Sequence, residues 1–195
     1  MKQVLFAFLI TAILFSCSDD DEDPVIEVNS QLVIEGETYT FSNGLIEDYG
    51  TIGTSTQDTH YNYDFYIADA EIDFSSSSTQ IQILFYAELF SASTDNFQAG
   101  TFDFIQLDEN TEISEIQGRN FFALSDIFLV GNDDIFYEAT GGSIVVIENG
   151  NLNYTVQVNL MMQKFEETDT DAVAVGSPIN VSFSYSGEFD YVDER

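Results

Sequence analysis

The sequence predicts an all-β fold, an antiparallel meander that closes as a barrel or flattens into a two-sheet sandwich, with at most one short helix. Two observations carry this prediction. From residue 31 onward, apolar and polar side chains alternate with the period of two that a half-buried strand requires. Short segments rich in Gly, Asn, Asp and Ser separate the alternating stretches, so strands that are neighbours in sequence should pair antiparallel.

The first half of this region contains several alternating stretches. The first strand carries Leu32 and Ile34 on one face, and the second spans 38–41 and ends at a turn over 42–44. The segment 49–59 is rich in Gly, Ser and Thr, which predicts a loop. Two longer strands follow, and their apolar faces are formed by Tyr61, Tyr63, Phe65 and Ile67 and by Ile81, Ile83, Phe85, Ala87 and Leu89.

The middle of the region is less regular. After a strand over 101–107, the spacing of apolar residues in 108–118 allows the one short helix, with Gly118 at its end. Residues 120–130 are apolar on both faces, which predicts a central strand or a strand that is broken at Ser125 and Asp126. Together the chain predicts roughly nine to eleven strands.

The last third carries the clearest turn signal. Asn149 and Gly150 favour a two-residue type I′ hairpin turn, because both central residues of that turn need positive φ. This turn would place Ile147 opposite Leu152. The inward faces of the two strands that follow are predicted from this register and from alternation to contain Leu152, Tyr154, Val156, Val158, Leu160 and Met162, then Ile179, Val181, Phe183, Tyr185, Phe189 and Tyr191.

Charge excludes some classes of partner. The 195 residues include 35 acidic and 4 basic side chains, a formal net charge of −31. Binding of nucleic acid needs Lys and Arg to displace counterions from phosphates, so we expect no nucleic-acid partner. Docking of the folded domain on an anionic lipid surface is disfavoured for the same reason. The hydrophobic content of 44% nevertheless suffices for a packed core, so the acidic chain is not a disordered tail.

The first 23 residues predict where the protein resides. Lys2 precedes an apolar run over 4–15 that only Thr11 interrupts, which is the pattern of a secretory signal peptide over 1–16. The run is too short for a membrane-spanning helix of about 20 residues. An acidic segment follows and predicts a solvated, flexible tether over 17–30, after which residues 31–195 form a single β-domain.

The stretch LFSC at residues 14–17 resembles a bacterial lipobox, and Cys17 is the only cysteine in the chain. The resemblance implies a lipoprotein in which Cys17 carries acyl chains such as palmitate and becomes the mature N-terminus. Two or more acyl chains hold a protein stably on a membrane. The next residues resemble the acidic export signal that carries lipoproteins of Bacteroidota to the outer face of the outer membrane; they are Ser18, Asp19, Asp20, Asp21 and Glu22.

The C-terminal 55 residues add a second resemblance. The stretches GSI at 142–144, NG at 149–150, YTV at 154–156, SYSG at 184–187 and YVD at 191–193 resemble the C-terminal pattern of small uncharacterised surface lipoproteins of Bacteroidota, of the Flavobacteria type. The resemblance implies cell-surface display of an acidic β-domain. It carries no catalytic residue over to this chain.

Candidate chemistry is sparse. His60 is the only histidine, and the domain has no cysteine, so zinc sites and thiol catalysis are disfavoured. No cofactor motif occurs, and calcium is the one ion that we retain as a candidate. Its oxygen ligands would come from two acidic loops, neither of which matches the EF-hand pattern; the candidates are Asp169 and Asp171 in one loop and Asp133 and Asp134 in the other.

Four side chains of the predicted strands are further candidates. Asp126 lies among apolar residues, where burial would raise its pKa as a general acid requires, although Ser125 and Asp126 could instead form a turn or bulge. Tyr66, Tyr86 and Phe90 lie off the main apolar phase of their strands. They could form a ligand-binding face or be buried against a second sheet or loop.

These observations favour a monomeric, non-enzymatic binding or structural module that is lipid-anchored at the outer-membrane surface. The candidate partners of such a module are a glycan or a protein. A carbohydrate-associated outer-membrane protein that captures glycans or hydrolyses them weakly is the first alternative. A lipocalin-like binder of small ligands is the second alternative. A cavity lined by Tyr and Phe would favour the lipocalin type, a flat aromatic strip would favour glycan capture, and a buried Asp facing a second carboxylate across a cleft would favour an enzyme.

Overall fold

The computed structural model describes residues 29–54, 57–74, 80–107, 116–130, 135–168 and 171–195, and this part of the chain is almost entirely β-strand. The all-β prediction is therefore confirmed. Ten strands are present in the described residues: β1 (Gln31–Ile34), β2 (Glu37–Thr40), β3 (Asn43–Thr54), β4 (Gln57–Ala68), β5 (Ile83–Ser91), β6 (Gly100–Phe104), β7 (Phe121–Leu129), β8 (Ile135–Gly150), β9 (Asn153–Glu167) and β10 (Ala172–Asp193).

The predicted signal peptide, Cys17 and the export segment 18–22 lie outside the described residues. No helix within the described ranges is long and apolar enough to cross a membrane. The helical turn predicted over 108–118 also lies mostly outside them. Its last residues, 116–118, form a short turn, and Gly118 has the positive φ of 80° expected of the residue that closes it.

Strands β3 to β10 form one mixed sheet that closes on itself. The order of neighbours is β10-β3-β4-β5-β7-β6-β8-β9, and β9 pairs with β10 to complete the ring. Most pairs are antiparallel, as the short connections predict. The pairs β10–β3 and β6–β7 are parallel, and β7 pairs with β8 as well as with β6. The closed sheet is therefore not a regular up-and-down barrel, and it is not a simple meander.

The short β1–β2 hairpin packs over one end of the closed sheet. Its turn is formed by Glu35 and Gly36, both with positive φ, and Leu32 and Ile34 join the core of the large sheet. The hydroxyl of Tyr137 on β8 donates a hydrogen bond of 2.6 Å to Glu35 Oε1. The hairpin is thus fixed both by buried apolar side chains and by a polar contact at its tip.

Side chains fill the interior of the closed sheet. The ring of Phe65 lies 5.7 Å from that of Phe97, 5.8 Å from Tyr154 and 5.5 Å from Phe189, measured between centroids. Burying one large apolar side chain contributes roughly 1.5–3 kcal/mol, so this interior supplies the main driving force for folding. Fully buried interior residues include Ile46, Phe65, Ile67, Phe85, Phe102, Phe122, Val156 and Met162. Among them, Phe65 and Ile67 on β4, Phe85 on β5, and Val156 and Met162 on β9 confirm the alternation predicted for those strands.

The loop predicted over 49–59 is wrong. Strand β3 continues to Thr54 and β4 begins at Gln57, and the register between them shifts at two places, next to Gly50 and next to Gly53. A Cβ on Gly53 would lie 2.2 Å from the carbonyl oxygen of Gln57. Gly53, which suggests a loop in the sequence, is therefore needed where the two strands approach closely. The turn predicted over 42–44 is also wrong, because β3 already includes Asn43.

The hairpin between β8 and β9 turns two residues later than predicted. Asn151 and Leu152 have φ of 51° and 59°, and they form the turn in place of the Asn149–Gly150 pair. A register shift between Glu148 and Gly150 displaces the turn, so Ile147 faces Thr155 and not Leu152. The prediction that Leu152 faces inward is wrong, because Leu152 lies in the turn and is 38% exposed. The rest of the inward face is confirmed, because Tyr154, Val156, Val158, Leu160 and Met162 are all buried.

Candidate functional site

Three phenylalanines form a line across the outer face of the closed sheet. Phe128 on β7 lies directly opposite Phe136 on β8, and Phe136 lies directly opposite Phe165 on β9. The centroids of Phe128 and Phe136 are 6.2 Å apart, and those of Phe136 and Phe165 are 5.3 Å apart with ring planes inclined by 11°. We call Phe128, Phe136 and Phe165 the aromatic row.

The aromatic row is accessible to solvent. Phe128 is 37% exposed, and Phe136 and Phe165 are half-buried. Leu84 on β5 lies opposite Phe128 and extends the row by one strand. An open groove of about 370 Å³ lies beside two members of the row, Phe128 and Phe136. The groove is lined by Leu84, Phe128, Leu129, Val130, Ile135, Phe136 and Glu167.

A second line of side chains runs parallel to the aromatic row. Tyr66 on β4, Tyr86 on β5, Asp126 on β7 and Glu138 on β8 are successive cross-strand partners. We call these four residues the polar row. Asp126 and Glu138 are each two residues from a member of the aromatic row along their own strands, so both rows lie on the same face of the sheet about 7 Å apart.

The two tyrosines of the polar row, Tyr66 and Tyr86, are in contact. They are two of the three residues that the sequence predicts for a ligand-binding face. Their ring centroids are 5.0 Å apart, and Phe74 packs edge-on against Tyr66 at 5.1 Å. Tyr86 donates a hydrogen bond of 2.9 Å to Asp64 Oδ2. Tyr66 donates one of 3.0 Å to Glu47 Oε2. Burial, together with these neighbouring carboxylates, raises the pKa of both phenols.

Three carboxyl groups on this face have raised pKa values. Burial, followed by the charge of Glu138, raises the pKa of Asp126 to about 7. Burial, followed by the charge of Asp64, raises the pKa of Glu88 to about 7. Burial also raises the pKa of Asp64 to about 6, against hydrogen bonds from Tyr86 and Asn62 that lower it. The face therefore changes its charge between about pH 6 and pH 7.

Asp126 is the most buried acid of the polar row. Its side chain is 8% exposed, and its Oδ1 atom has no hydrogen-bond partner among the described residues. The turn or bulge considered for Ser125 and Asp126 is not seen at these residues, because both are paired within β7. The register shift lies just before them, between Phe122 and Ser125. Continuous pairing fixes Asp126 on the outer face, between Tyr86 and Glu138.

The basic side chains of the described region lie away from this face. Lys164 Nζ is 2.9 Å from Glu35 Oε1 at the β1–β2 hairpin. Arg195 Nη2 is 2.7 Å from Asp193 Oδ2 at the other end of the closed sheet. Arg119 precedes the first residue of β7, whereas Asp126 lies in the second half of that strand. None of these three basic side chains lowers the pKa of Asp126, which is raised by burial and by the charge of Glu138.

A second buried acid is fully satisfied and has a structural role. Asp48 on β3 is 2% exposed and accepts hydrogen bonds from the hydroxyls of Tyr61 and Tyr191. The backbone N–H of Gly50 donates to it across 2.8 Å, and Arg195 Nε lies 3.6 Å away. These contacts tie the end of β10 to β3, and they leave Asp48 with neither a free oxygen nor an uncompensated charge.

The remaining strand candidates lie elsewhere. Phe90 is 4% exposed and stacks on Phe121 at 4.7 Å, so it is not part of either row. His60 is buried edge-on against the same Phe121. One ring nitrogen of His60 contacts Thr59 Oγ1 and the other contacts the carbonyl oxygen of Arg119. Burial lowers the pKa of His60, which acts as a satisfied core histidine.

Three of the four calcium candidates, Asp133, Asp134 and Asp169, lie outside the described residues. Asp171 is described, is exposed, and accepts the backbone N–H of Ala172 with Oδ1 at 2.9 Å. In the part of the chain with assigned positions, no group of three or more His, Cys, Asp and Glu side chains has a metal-binding arrangement. Calcium binding by the two acidic loops stays a prediction.

Sequence reasoning did not identify the aromatic row. Phe128 belongs to a stretch that is apolar on both faces, so alternation could not separate inward from outward residues. Phe136 and Phe165 are brought together by the register of the β8–β9 hairpin, which depends on a turn at Asn151 and Leu152. The sequence feature that could have indicated the row is one outward-facing aromatic residue on each of the strands β7, β8 and β9.

No protein-family model matches the chain, and comparisons with curated proteins and with solved structures likewise found no match. The chemistry of the two rows is therefore the guide to function.

Proposed function

We propose that the chain is a lipid-anchored protein of the outer-membrane surface whose β-domain captures a glycan on the aromatic row without hydrolysing it. The observation that carries this proposal is an accessible line of stacked phenylalanines beside a line of hydrogen-bond acceptors. The apolar C–H face of a sugar ring packs on aromatic carbon, while its hydroxyls bond to polar groups beside it. Ligand sites typically combine such apolar surface with a few placed polar groups.

The packed interior supports an external site over a lipocalin-like one. The inward phenylalanines and tyrosines contact one another at centroid distances of 5 to 6 Å, so they occupy the space that an internal ligand would need. The groove along the aromatic row instead opens on the outer face. A long ligand can cross such a surface without entering the protein.

The arrangement of the carboxylates supports capture over hydrolysis. Asp126 and Glu138 are cross-strand partners on one face, with Cβ atoms about 5 Å apart. A glycosidase needs its two carboxyl groups on either side of the scissile bond. Here both would touch the same side of a bound sugar, so the raised pKa of Asp126 serves recognition and not proton transfer across a cleft.

The leader supports the proposed location. Cys17 at the end of a lipobox-like stretch would carry the acyl chains, and the acidic residues after it would direct the protein to the cell surface. Replacement of Cys17 by Ala should release the protein from membranes. Protease added to intact cells should degrade the wild-type domain. Survival of the domain on intact cells, with degradation only after lysis, would contradict surface display.

Glycan capture is tested by binding of the wild-type chain, purified from membranes in detergent, to a panel of immobilised oligosaccharides. Phe136→Ala with Phe165→Ala should weaken binding at least tenfold. Met161→Ala is the matched control, because Met161 is an exposed apolar residue on the outside of the same strand, β9, away from the row. Equal loss in the control, or no loss in the double variant, would contradict the proposed site.

A further inference from the structure

Asp126 presents a buried carboxylate oxygen that the described part of the protein leaves unpaired. The side chain is more than nine-tenths buried and faces outward beside the aromatic row. A buried acceptor without a hydrogen-bond partner lowers the stability of the fold, and more so when it is charged. Such a group is retained most readily where a ligand supplies the missing donor.

The surroundings of Asp126 define the charge of that donor. Glu138 lies directly across the β7–β8 pairing, and Glu88 is two residues along β5 from Tyr86, which faces Asp126 from the other side. Asp64 lies directly opposite Glu88. Four acids therefore share this part of the face, whereas Lys164 and the two arginines of the described region lie elsewhere.

A neutral hydroxyl could donate one hydrogen bond to Asp126 but would leave the repulsion between Asp126 and Glu138 in place. A primary ammonium group has three N–H donors and a positive charge, so it can bond to both carboxylates and compensate them. A metal ion is a poorer fit, because the described acids do not converge in a metal-binding arrangement. The donor that matches the site is therefore an organic ammonium.

We propose that the captured glycan is a polymer of amino sugars with free amines, and that a protonated amine binds between Asp126 and Glu138 while the sugar rings pack on the aromatic row. This inference rests on the proposed glycan capture and specifies its ligand. The raised pKa of Asp126 is consistent with it, because the ligand charge would restore the ionised carboxylate that burial disfavours.

The test compares three hexasaccharides of β-1,4-linked sugars that differ at carbon 2. Glucosamine carries an amine there, N-acetylglucosamine carries a neutral amide and glucose carries a hydroxyl. Binding is measured by calorimetry at pH 6.5 with the full chain purified from membranes in detergent. The glucosamine oligomer should bind at least tenfold more tightly than either neutral oligomer, and added NaCl should reduce this preference.

Asp126→Asn should abolish the preference for glucosamine, and Glu138→Gln provides a second variant should the first fail to fold. Asp190→Asn is the matched control, because it removes the same charge from an exposed position on β10. Retention of the preference in both site variants would show attraction to the overall charge and overturn the inference. Equal binding of all three oligomers would also overturn it but leave glycan capture standing. Failure of every oligomer to bind would contradict the proposed function itself.

Discussion

Phe136 and Phe165 lie directly opposite each other on β8 and β9, and their rings are stacked with centroids 5.3 Å apart. Both side chains are only half-buried, on the outside of a sheet whose interior is already filled. An aromatic pair of this kind contributes about 0.5–1.5 kcal/mol beyond the area it buries. The stack is therefore a small element of stability, and its exposure is what the proposed glycan capture requires.

We expect Phe136→Leu and Phe165→Leu to lower the free energy of unfolding by about 1 kcal/mol each, with a coupling of about 0.5–1.5 kcal/mol in the double variant. Urea denaturation measures both quantities. Phe65→Leu is the control, because Phe65 is fully buried inside the closed sheet and should cost more. An equal cost at positions 65 and 136 would place the row in the core and remove the argument for binding.

Stability should increase as the pH falls from 8 to 5. The pKa values of Asp64, Glu88 and Asp126 are about 6 to 7 in the folded chain, above their ordinary values, so the native state binds more protons than the unfolded chain in this window. His60, whose pKa burial lowers, gives the opposite slope below about pH 6.5, and one group does not reverse three. Unfolding free energies at pH 8, 6.5 and 5 measure the slope.

Asp126→Asn should reduce that slope, because it removes one of the three groups, and it should stabilise the protein by about 1–3 kcal/mol at pH 8 and little at pH 5. The exposed Asp190→Asn should leave the slope unchanged. A slope that is identical in wild type and Asp126→Asn would mean that Asp126 is not the buried titrating group described above.

Gly142 on β8 should not tolerate a side chain. Its φ is 107°, and a Cβ there would lie 2.3 Å from the carbonyl oxygen of Asn159 on β9. We expect Gly142→Ala to cost about 2–4 kcal/mol by thermal or urea unfolding. The neighbouring Gly141→Ala is the control, since its Cβ would meet only the flexible end of Met161 at 3.5 Å. Similar costs at the two positions would argue against the described β8–β9 register.

Leu152 occupies a turn position that glycine would occupy with less strain. Its φ is 59°, a conformation that costs a residue with a Cβ about 1–2 kcal/mol, and Leu152 is 38% exposed. Leu152→Gly should therefore raise the free energy of unfolding by about 0.5–1 kcal/mol. Leu107→Gly is the matched control, because Leu107 has the same exposure without positive φ. This change should destabilise the protein. If Leu152→Gly instead destabilises the protein, the result would indicate that the turn lies at Asn149 and Gly150.

Salt should stabilise the protein, because a net charge of −31 makes the folded state repel itself. The melting temperature should rise between about 0.05 and about 0.5 M NaCl, because added salt screens this repulsion. CaCl2 at equal ionic strength should give a larger rise if the acidic loops bind calcium. A flat response to NaCl would contradict the repulsion argument, and equal responses to both salts would contradict calcium binding.

The inward faces of the long strands could be predicted from sequence because burial on one side imposes a period of two. Tyr61 to Ile67 and Tyr154 to Met162 show this directly. Register could not be predicted, because it depends on extra residues that alternation does not reveal. The shift next to Gly150 moves the turn to Asn151 and Leu152, and the shifts near Gly50 and Gly53 convert a predicted loop into paired strand.

The candidate site was predictable in part. The contact between Tyr66 and Tyr86 follows from two neighbouring strands, each with a tyrosine in the outward phase. The buried position of Asp126 follows from its apolar neighbours in sequence. The aromatic row was not predictable, because β7, β8 and β9 must be aligned correctly before Phe128, Phe136 and Phe165 become neighbours.

The parallel pairing of β3 with β10 has a consequence for folding kinetics. Residues 44–48 bond to residues 189–193, so the closure of the sheet joins segments about 145 positions apart. Contacts of such long range slow folding, because the chain must lose much of its freedom before they form. We expect the sheet to remain open during synthesis until residues 189–193 have been made. The closed sheet is therefore a product of the complete domain and not of the growing chain.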